Sequence, residues 1–280
     1  MRLRAVLERH KRLGELVRVL EKLGKTAHVL LSPKLCTIAV NPDNTSQPQA
    51  WASLATNSDD GSSVFRTYRI ESKNDDKIAF EIDLSNFSRA LKSSEQAEMA
   101  TVKLAKKFGK AFLSFEIIIQ STPMMTVIQD IPISMISAEE QQILEEPDIG
   151  EPSVRLIAPP LKSLSNVADR LKGLHDRICL RANMAGELEV GVETEFVFMN
   201  NFWKDLDAPA LDGQPPPPKD PSQKASVVVD GAVLGRVLSS FQLRPNVSII
   251  CIVDRMGHKI LVWHLFLGED TVTYYLPVLE

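Results

Sequence analysis

The chain has 280 residues, a formal net charge of −4 and 44% hydrophobic residues. That is room for two ordinary domains with ample apolar mass for a core, and the balance excludes a uniformly basic nucleic-acid coat. No apolar run approaches the roughly 18 residues of a membrane span, Met1-Arg2-Leu3-Arg4 shows no signal-peptide core, and the isolated Cys36, Cys179 and Cys251 argue for a reducing compartment without a disulfide framework.

In chain order, the first half predicts strands at 2–7, 27–32, 35–40, 64–70, 78–82, 100–106, 111–119 and 127–134, all short and rich in β-branched or alternating residues. Two segments interrupt them with helical spacing: Leu13, Leu16, Val17, Leu20 and Leu23, then Leu84, Phe87, Ala90 and Leu91. Residues 137–152 carry Glu139, Glu140, Glu145, Glu146, Asp148 and Glu151 and no base, which marks a connector between domains 1–136 and 153–280. The second half predicts helices through Leu161, Leu164, Val167, Ala168 and Leu171 and through Val233, Leu234, Val237 and Leu238. Its strands are expected at 177–182, 187–192, 195–200, 227–229, 248–253, 259–267 and 271–278. Residues 203–226 hold Pro209, four consecutive prolines from Pro215, and Pro221; such a run cannot enter a sheet interior and predicts an exposed, mobile loop. Turn chemistry at Asn44, Asp59-Asp60-Gly61, Asn74-Asp75-Asp76, Gly109, Ala185-Gly186 and Gly257 implies antiparallel pairing.

The halves resemble each other at a nearly constant offset. Asp83-Leu84-Ser85-Asn86-Phe87-Ser88-Arg89-Ala90-Leu91 precedes Asp230-Gly231-Ala232-Val233-Leu234-Gly235-Arg236-Val237-Leu238 by 147 positions. In both, an Asp ending a strand stands where an N-cap accepts helix amide hydrogen bonds. Gly109 precedes Gly257 by 148 positions, and Ile131-Pro132-Ile133 precedes Leu276-Pro277-Val278 by 145. Several matches in one order predict a duplicated domain.

The four helices share a charge pattern. Lys11, Arg18, Lys22 and Lys25 fall in line on the face away from the leucines, with Arg12 beside them. The second helix has Arg89 and Lys92, the third Lys162, Arg170 and Lys172, and the fourth Arg236. Together these segments carry +8, which leaves −12 for the rest of the chain. Solvated Lys-rich faces are common on single helices, but the joint pattern suits a regular duplex backbone, read as charge rather than sequence. No aromatic residue interleaves these bases, which argues against single-strand stacking.

Catalytic signals are weak. The sequence has no phosphate-cradling Gly loop, nucleophile elbow or two-His helix motif. Glu187, Glu189, Glu193 and Glu195 share one strand parity but lack partnering Asp or His and read as a solvated sheet face. His258 and His264 lack a third ligand, so neither a metal nor a cofactor is expected, and the chain is read as non-catalytic.

The stretch 84–92, Asp130-Ile131-Pro132-Ile133, Gly186-Glu187-Leu188-Glu189 with Glu193-Thr194-Glu195, Trp203-Lys204-Asp205-Leu206 with Pro209, and the closing Tyr275-Leu276-Pro277-Val278-Leu279 carry a resemblance. The sequence resembles the Hus-type subunit of the eukaryotic checkpoint sliding clamp, the nine-one-one ring, a relative of the proliferating-cell replication clamp. The match runs from about residue 20 to the C-terminus and is weakest over 5–16. The resemblance implies an α+β DNA-clamp fold of two repeated β-rich domains, each with two helices on one face of antiparallel sheets. It also implies a heterotrimeric ring with Rad-nine-type and Rad-one-type subunits, a clamp loader, duplex DNA inside, repair enzymes docking by peptides near the connector, and a nuclear location. On that reading Lys11, Arg12, Arg18, Lys22, Lys25, Arg89, Lys92, Lys162, Arg170, Lys172 and Arg236 face DNA, and negative outer surfaces keep DNA from wrapping outside. Matching positions place the subunit edges at 111–119, with Phe112, Phe115 and Ile117, and at 195–202, with Phe196, Phe198 and Asn200. The rivals are a homotrimeric replication-type clamp and an acidic β-rich adaptor that never touches DNA.

Overall fold

A computed structural model describes residues 1–57, 63–95, 97–119, 125–209, 220–255 and 258–279. The expected turns at Asp59-Asp60-Gly61 and Gly257 and the four-proline run lie outside them. The chain divides into two units. The first comprises Met1–Asp43, Ala50–Glu146 and Gly268–Thr271; the second comprises Asn44–Gln49, Pro147–Leu267 and Val272–Glu280.

In the first unit the elements are β1 (Arg2–Leu7), α1 (His10–Glu21), β2 (Thr26–Leu31), β3 (Leu35–Val40), β4 (Gln49–Ala55), β5 (Phe65–Glu71), β6 (Ile78–Asp83), α2 (Leu84–Ser94), β7 (Met99–Lys107), β8 (Lys110–Ile119) and β9 (Met125–Met135). Its strands run β4-β3-β2-β6-β9-β8-β7-β1-β5, antiparallel throughout. A 3-10 turn, Glu140–Leu144, follows β9.

The second unit holds β10 (Val154–Ile157), α3 (Leu161–Lys172), β11 (Arg177–Ala182), β12 (Leu188–Glu193), β13 (Phe198–Trp203), β14 (Ala225–Asp230), α4 (Gly231–Leu238), β15 (Val247–Arg255), β16 (His258–Leu267) and, from Val272 on, β17 (Asp270–Pro277), whose first two residues belong to the first unit. Its strands run β13-β12-β11-β14 and β17-β16-β15-β10. The Leu279 amide donates to the Val228 carbonyl at 2.7 Å, so the residues after β17 meet β14 where β9 meets β6 in the first unit. The two units therefore share one order of elements, and β5 is the strand without a counterpart.

The residue pattern explains both layers. On β1 the buried Leu3, Ala5 and Leu7 alternate with the exposed Arg2 and Arg4, so one sheet face is apolar and the other charged. Helix α1 buries Leu13, Leu16, Val17, Val19 and Leu20, and α2 buries Leu84, Phe87, Ala90 and Leu91. Helix α3 buries Leu161, Leu164, Ala168 and Leu171, and α4 buries Leu234, Val237 and Leu238. Helices this short are marginal in water, so their stability comes from these faces. The Asp83 carboxylate accepts the Asn86 amide at 2.7 Å, and Asp230 accepts the amides of Ala232 and Val233 at 2.8 and 2.9 Å. Both expected caps are in place. Helix α1 runs unbroken from His10 to Glu21, through the later part of the stretch where the resemblance is weakest, although Arg9 supplies no side-chain cap.

The first unit's core contains an apolar cavity of about 50 Å³, lined among others by Leu13, Ile38, Tyr68, Phe87 and Phe115. The Tyr68 hydroxyl is buried, and burial pushes its pKa up. Cys36 lines the same cavity, and burial raises its thiol to about 12. Burial also raises Cys251 to about 12, so both thiols stay protonated and behave as small apolar groups.

Strands β4 and β10 are additions to the sequence-based expectation, and β13 begins three residues later than expected. Strand β4 reads Gln-Ala-Trp-Ala-Ser-Leu-Ala with nearly every position buried, so it lacks the alternation that marks a half-exposed strand. Strand β10 has four residues between the acidic connector and Pro159-Pro160.

Candidate nucleic-acid interface and subunit edges

Each unit packs its two helices against each other on the apolar side of its sheet, α1 with α2 and α3 with α4. The leucine faces point down, so the polar faces point away. Lys11, Arg18, Lys22, Lys25, Arg89, Lys92, Lys162, Arg170, Lys172 and Arg236 are all exposed. Several of them make weak contacts at the surface. The Arg18 Nη2 lies 3.6 Å from a Glu95 carboxylate oxygen, and its Nε donates to the Gly14 carbonyl. Arg89 donates to Ser85 and Asn86 of its own helix, and Arg236 donates to Ala232. The Lys162 ammonium sits 4.3 Å over the Phe241 ring, a cation–π contact that leaves its charge at the surface. Exposed pairs of this kind contribute about 0–1 kcal/mol, so they hold these side chains only weakly.

Three expected positions differ. Arg12 is turned inward: its Nη2 lies 3.0 Å from the Asp270 carboxylate, whose side chain is only 4% exposed and also accepts the Ala55 amide at 3.0 Å. Burial outweighs these contacts and holds the Asp270 carboxyl above the usual range. Arg12 therefore anchors α1 rather than joining the cationic surface. Lys22 is the C-cap of α1, and Lys25 lies in the turn beyond, so the straight line drawn through them on one helix stops at Glu21.

The expected N-terminal edge also requires correction. Strand β8 is paired on both sides along its length, Lys110 to Ile118 with β7 and Ala111 to Ile119 with β9. Phe115 and Ile117 are fully buried and Phe112 is half-buried. Alternation places Phe115 and Ile117 on the core face, but it cannot tell an interior strand from an edge. The open stretch is on β9, which meets β6 only from Ile133 to Met135. Its earlier half has no described strand on that side, and Met125 and Ile128 are exposed there.

In the second unit β13 is the outer strand of its four-stranded sheet. Phe198 is 73% exposed and Phe202 61%; Phe196, in the turn before β13, is 92% exposed. Asn200 folds over Gly191 on β12. Beside it the Arg181 guanidinium binds both oxygens of Glu193 at 2.6 and 2.7 Å and one of Glu189 at 3.1 Å. The hydrogen bond from Arg181 holds the Glu193 carboxyl below its ordinary value. The Glu187–Glu195 series is thus no carboxylate site, because Arg181 neutralises its centre.

The outer sheet face of the first unit departs from the expected negative exterior. Arg2, Arg4, Arg69 and Lys103 stand on it against Glu71 and Glu116. Among the described residues no group of His, Cys, Asp or Glu is arranged to hold a metal, and no helix is long and apolar enough to cross a membrane.

Known proteins share this architecture. A solved proliferating cellular nuclear antigen from Entamoeba histolytica superposes with a TM-score of 0.72 at 12% identity, covering 99% of each chain. PCNA from Thermococcus kodakaraensis gives 0.67 at 17% identity, covering 99% of this chain and 100% of that one. Both likenesses concern the clamp fold. The Dictyostelium discoideum checkpoint protein hus1 homolog is 31% identical, covering 77% of this chain and 78% of its own. Checkpoint protein HUS1 of Homo sapiens is 28% identical, covering 94% and 92%. The family model described as Hus1-like protein matches residues 1–280, and the chain belongs to that family.

Proposed function

We propose that the chain is the Hus-type, non-catalytic subunit of a heterotrimeric checkpoint clamp that encircles duplex DNA in the nucleus and serves as a platform for damage signalling and repair. The carrying observation is the repeated arrangement: two units of one topology, each with a helix pair whose apolar side meets a sheet and whose other side is cationic. Family membership supports the checkpoint role and assembly with other clamp subunits.

On this reading the DNA-facing set is Lys11, Arg18, Lys22, Lys25, Arg89, Lys92, Lys162, Arg170, Lys172 and Arg236, without Arg12. A closed ring holds DNA because it cannot leave sideways, so each phosphate contact can be weak and exchange as the ring slides. Closure uses the β9 half-edge, Met125–Asp130, of one subunit and β13 of the next. Both expose large apolar side chains, and an open edge is a template for pairing with another chain. The neighbours are Rad-nine-type and Rad-one-type subunits, a clamp loader places the ring, and repair enzymes dock by peptides at the connector.

The test is co-expression with the candidate clamp subunits, mass measurement of the product, and retention on circular against linear DNA. The reading expects a one-to-one-to-one complex retained on circles and lost from linear ends. Charge reversal at Arg89, Lys162 and Arg170 is expected to reduce that retention with assembly intact. A stable trimer of this chain alone refutes the heterotrimer, and full retention after charge reversal refutes the DNA-facing assignment.

A further inference from the structure

One charged feature lies on the opposite side of the first unit's sheet from the helices and has no part in the reading above. Strands β5, β1 and β7 are adjacent, and their registers align Arg69 with Arg4 and Arg4 with Lys103. On β1 the neighbours Leu3 and Ala5 are buried, so Arg4 points to the outer face. On β5 Tyr68 lines the core cavity, so Arg69 shares that outer face; both arginines are exposed. Three cations thus stand in one row across three strands, at the strand spacing of about 4.8 Å.

Like charges directly opposite each other on paired strands are destabilising. Lys103 is relieved by an ion pair with Glu116, and Arg4 adds to the pull that keeps Glu116 ionised. Arg4 and Arg69 form no ion pair with a described carboxylate. Their strand neighbours on the same face do: Arg2 pairs with Glu71 across the next rung at 3.7 Å. A repulsive pair kept where one acidic residue would remove it is a local conflict of the kind functional sites retain.

We propose that Arg4 and Arg69, with Lys103 beside them, form a recognition site for a phosphoserine or phosphothreonine in an extended peptide. Two guanidinium groups on opposed positions, with Cβ atoms about 5 Å apart, flank a single tetrahedral dianion. A phosphorylated side chain supplies about two negative charges and three acceptor oxygens at one point. Thr67, two residues along β5 on the same face and exposed, adds a hydroxyl. The surroundings favour a point dianion over a continuous phosphate backbone. Glu71 borders Arg69 along β5, and Glu116 and Asp130 border the row beyond Lys103, so a duplex crossing the row meets carboxylates on both flanks. The site depends on neither ring closure nor the helix cations.

The experiment uses the full chain and fluorescence anisotropy with three probes: a labelled Gly/Ser peptide with one central phosphoserine, its unphosphorylated twin, and a short DNA duplex. The phosphopeptide is expected to bind roughly tenfold tighter than its twin, and Arg4→Gln or Arg69→Gln is expected to abolish that preference. Arg2→Gln, one rung away, is expected to retain it. Thermal melts report folding: both Gln variants are expected to melt at or above the parent temperature, because a repulsion has been removed. Equal binding of the twin, a preference that survives both substitutions, or a duplex that displaces the phosphopeptide at equal phosphate concentration overturns the proposal.

Discussion

Gly191→Ala tests how the β13 edge is held. Gly191 lies on β12 opposite Asn200 of β13. A Cβ there would stand 1.7 Å from the Asn200 Oδ1 and 2.5 Å from the Met199 carbonyl oxygen. The Asn200 side chain can rotate away. The Met199 carbonyl belongs to the backbone, so β13 itself has to shift. Overpacking of this kind costs about 1–3 kcal/mol. For a chain of this size that lowers the melting temperature by roughly 2–10 °C. Asn200→Ala in the same chain removes the nearer clash and leaves the carbonyl, so the double variant is expected to recover only part of the loss. Gly235→Ala is the control: in α4 its nearest neighbour beyond the helix backbone is the Asp169 Oδ1 at 3.9 Å, and replacing a helical Gly there is expected to stabilise by about 0.5–1 kcal/mol. Urea melts give the energies, and co-purification with clamp subunits reports the edge, where Gly191→Ala is expected to weaken assembly. An unchanged melt for Gly191→Ala, or equal effects at Gly191 and Gly235, refutes the reasoning.

Removing the caps follows the same logic: Asp83→Ala is expected to cost about 1 kcal/mol, and Asp230→Ala more, because Asp230 accepts two amides, as compared by urea melts. Asp270→Ala leaves the half-buried Arg12 without its carboxylate and the Ala55 amide without its acceptor, at a cost of about 2–3 kcal/mol; Asp270→Asn keeps an acceptor and is expected to cost less in the same assay. Glu193 is held below its ordinary pKa in the fold, so its contribution is present above the unfolded value and lost as pH falls through the folded one. In Arg181→Gln an NMR titration of the Glu193 carboxyl is expected to move upward toward the ordinary range; an unmoved titration means the Arg181 contact is not its cause.

Much of this architecture can be read from residue order. The helices announce themselves because Leu13, Leu16, Val17 and Leu20, or Leu161, Leu164, Ala168 and Leu171, must share a face at 3.6 residues per turn. Asp83 and Asp230 are legible because an Asp between a strand and an apolar stripe has one evident use. What stays hidden depends on pairing across the chain. Phe115 and Ile117 sit in a strand whose period is plain, yet whether that strand has one neighbour or two is set by β7 and β9. Arg12 looks like Lys11 in sequence and differs because Asp270, far along the chain, reaches it. The Arg4–Arg69 opposition is likewise invisible until the register of β1 and β5 is known. Strand β4 is hidden for another reason: its Ala-rich, mostly buried residues carry no clear alternation.

The void behind Tyr68 has a volumetric consequence. A hollow of about 50 Å³ per molecule amounts to about 30 mL per mole, a substantial part of the contraction that small proteins undergo when compressed to unfolding. Hydrostatic pressure is therefore expected to attack the amino-terminal unit by a route unlike heat, squeezing solvent into the space among Leu13, Ile38 and Phe115. A Cys36→Met filler is expected to blunt that response more than it alters the thermal melt.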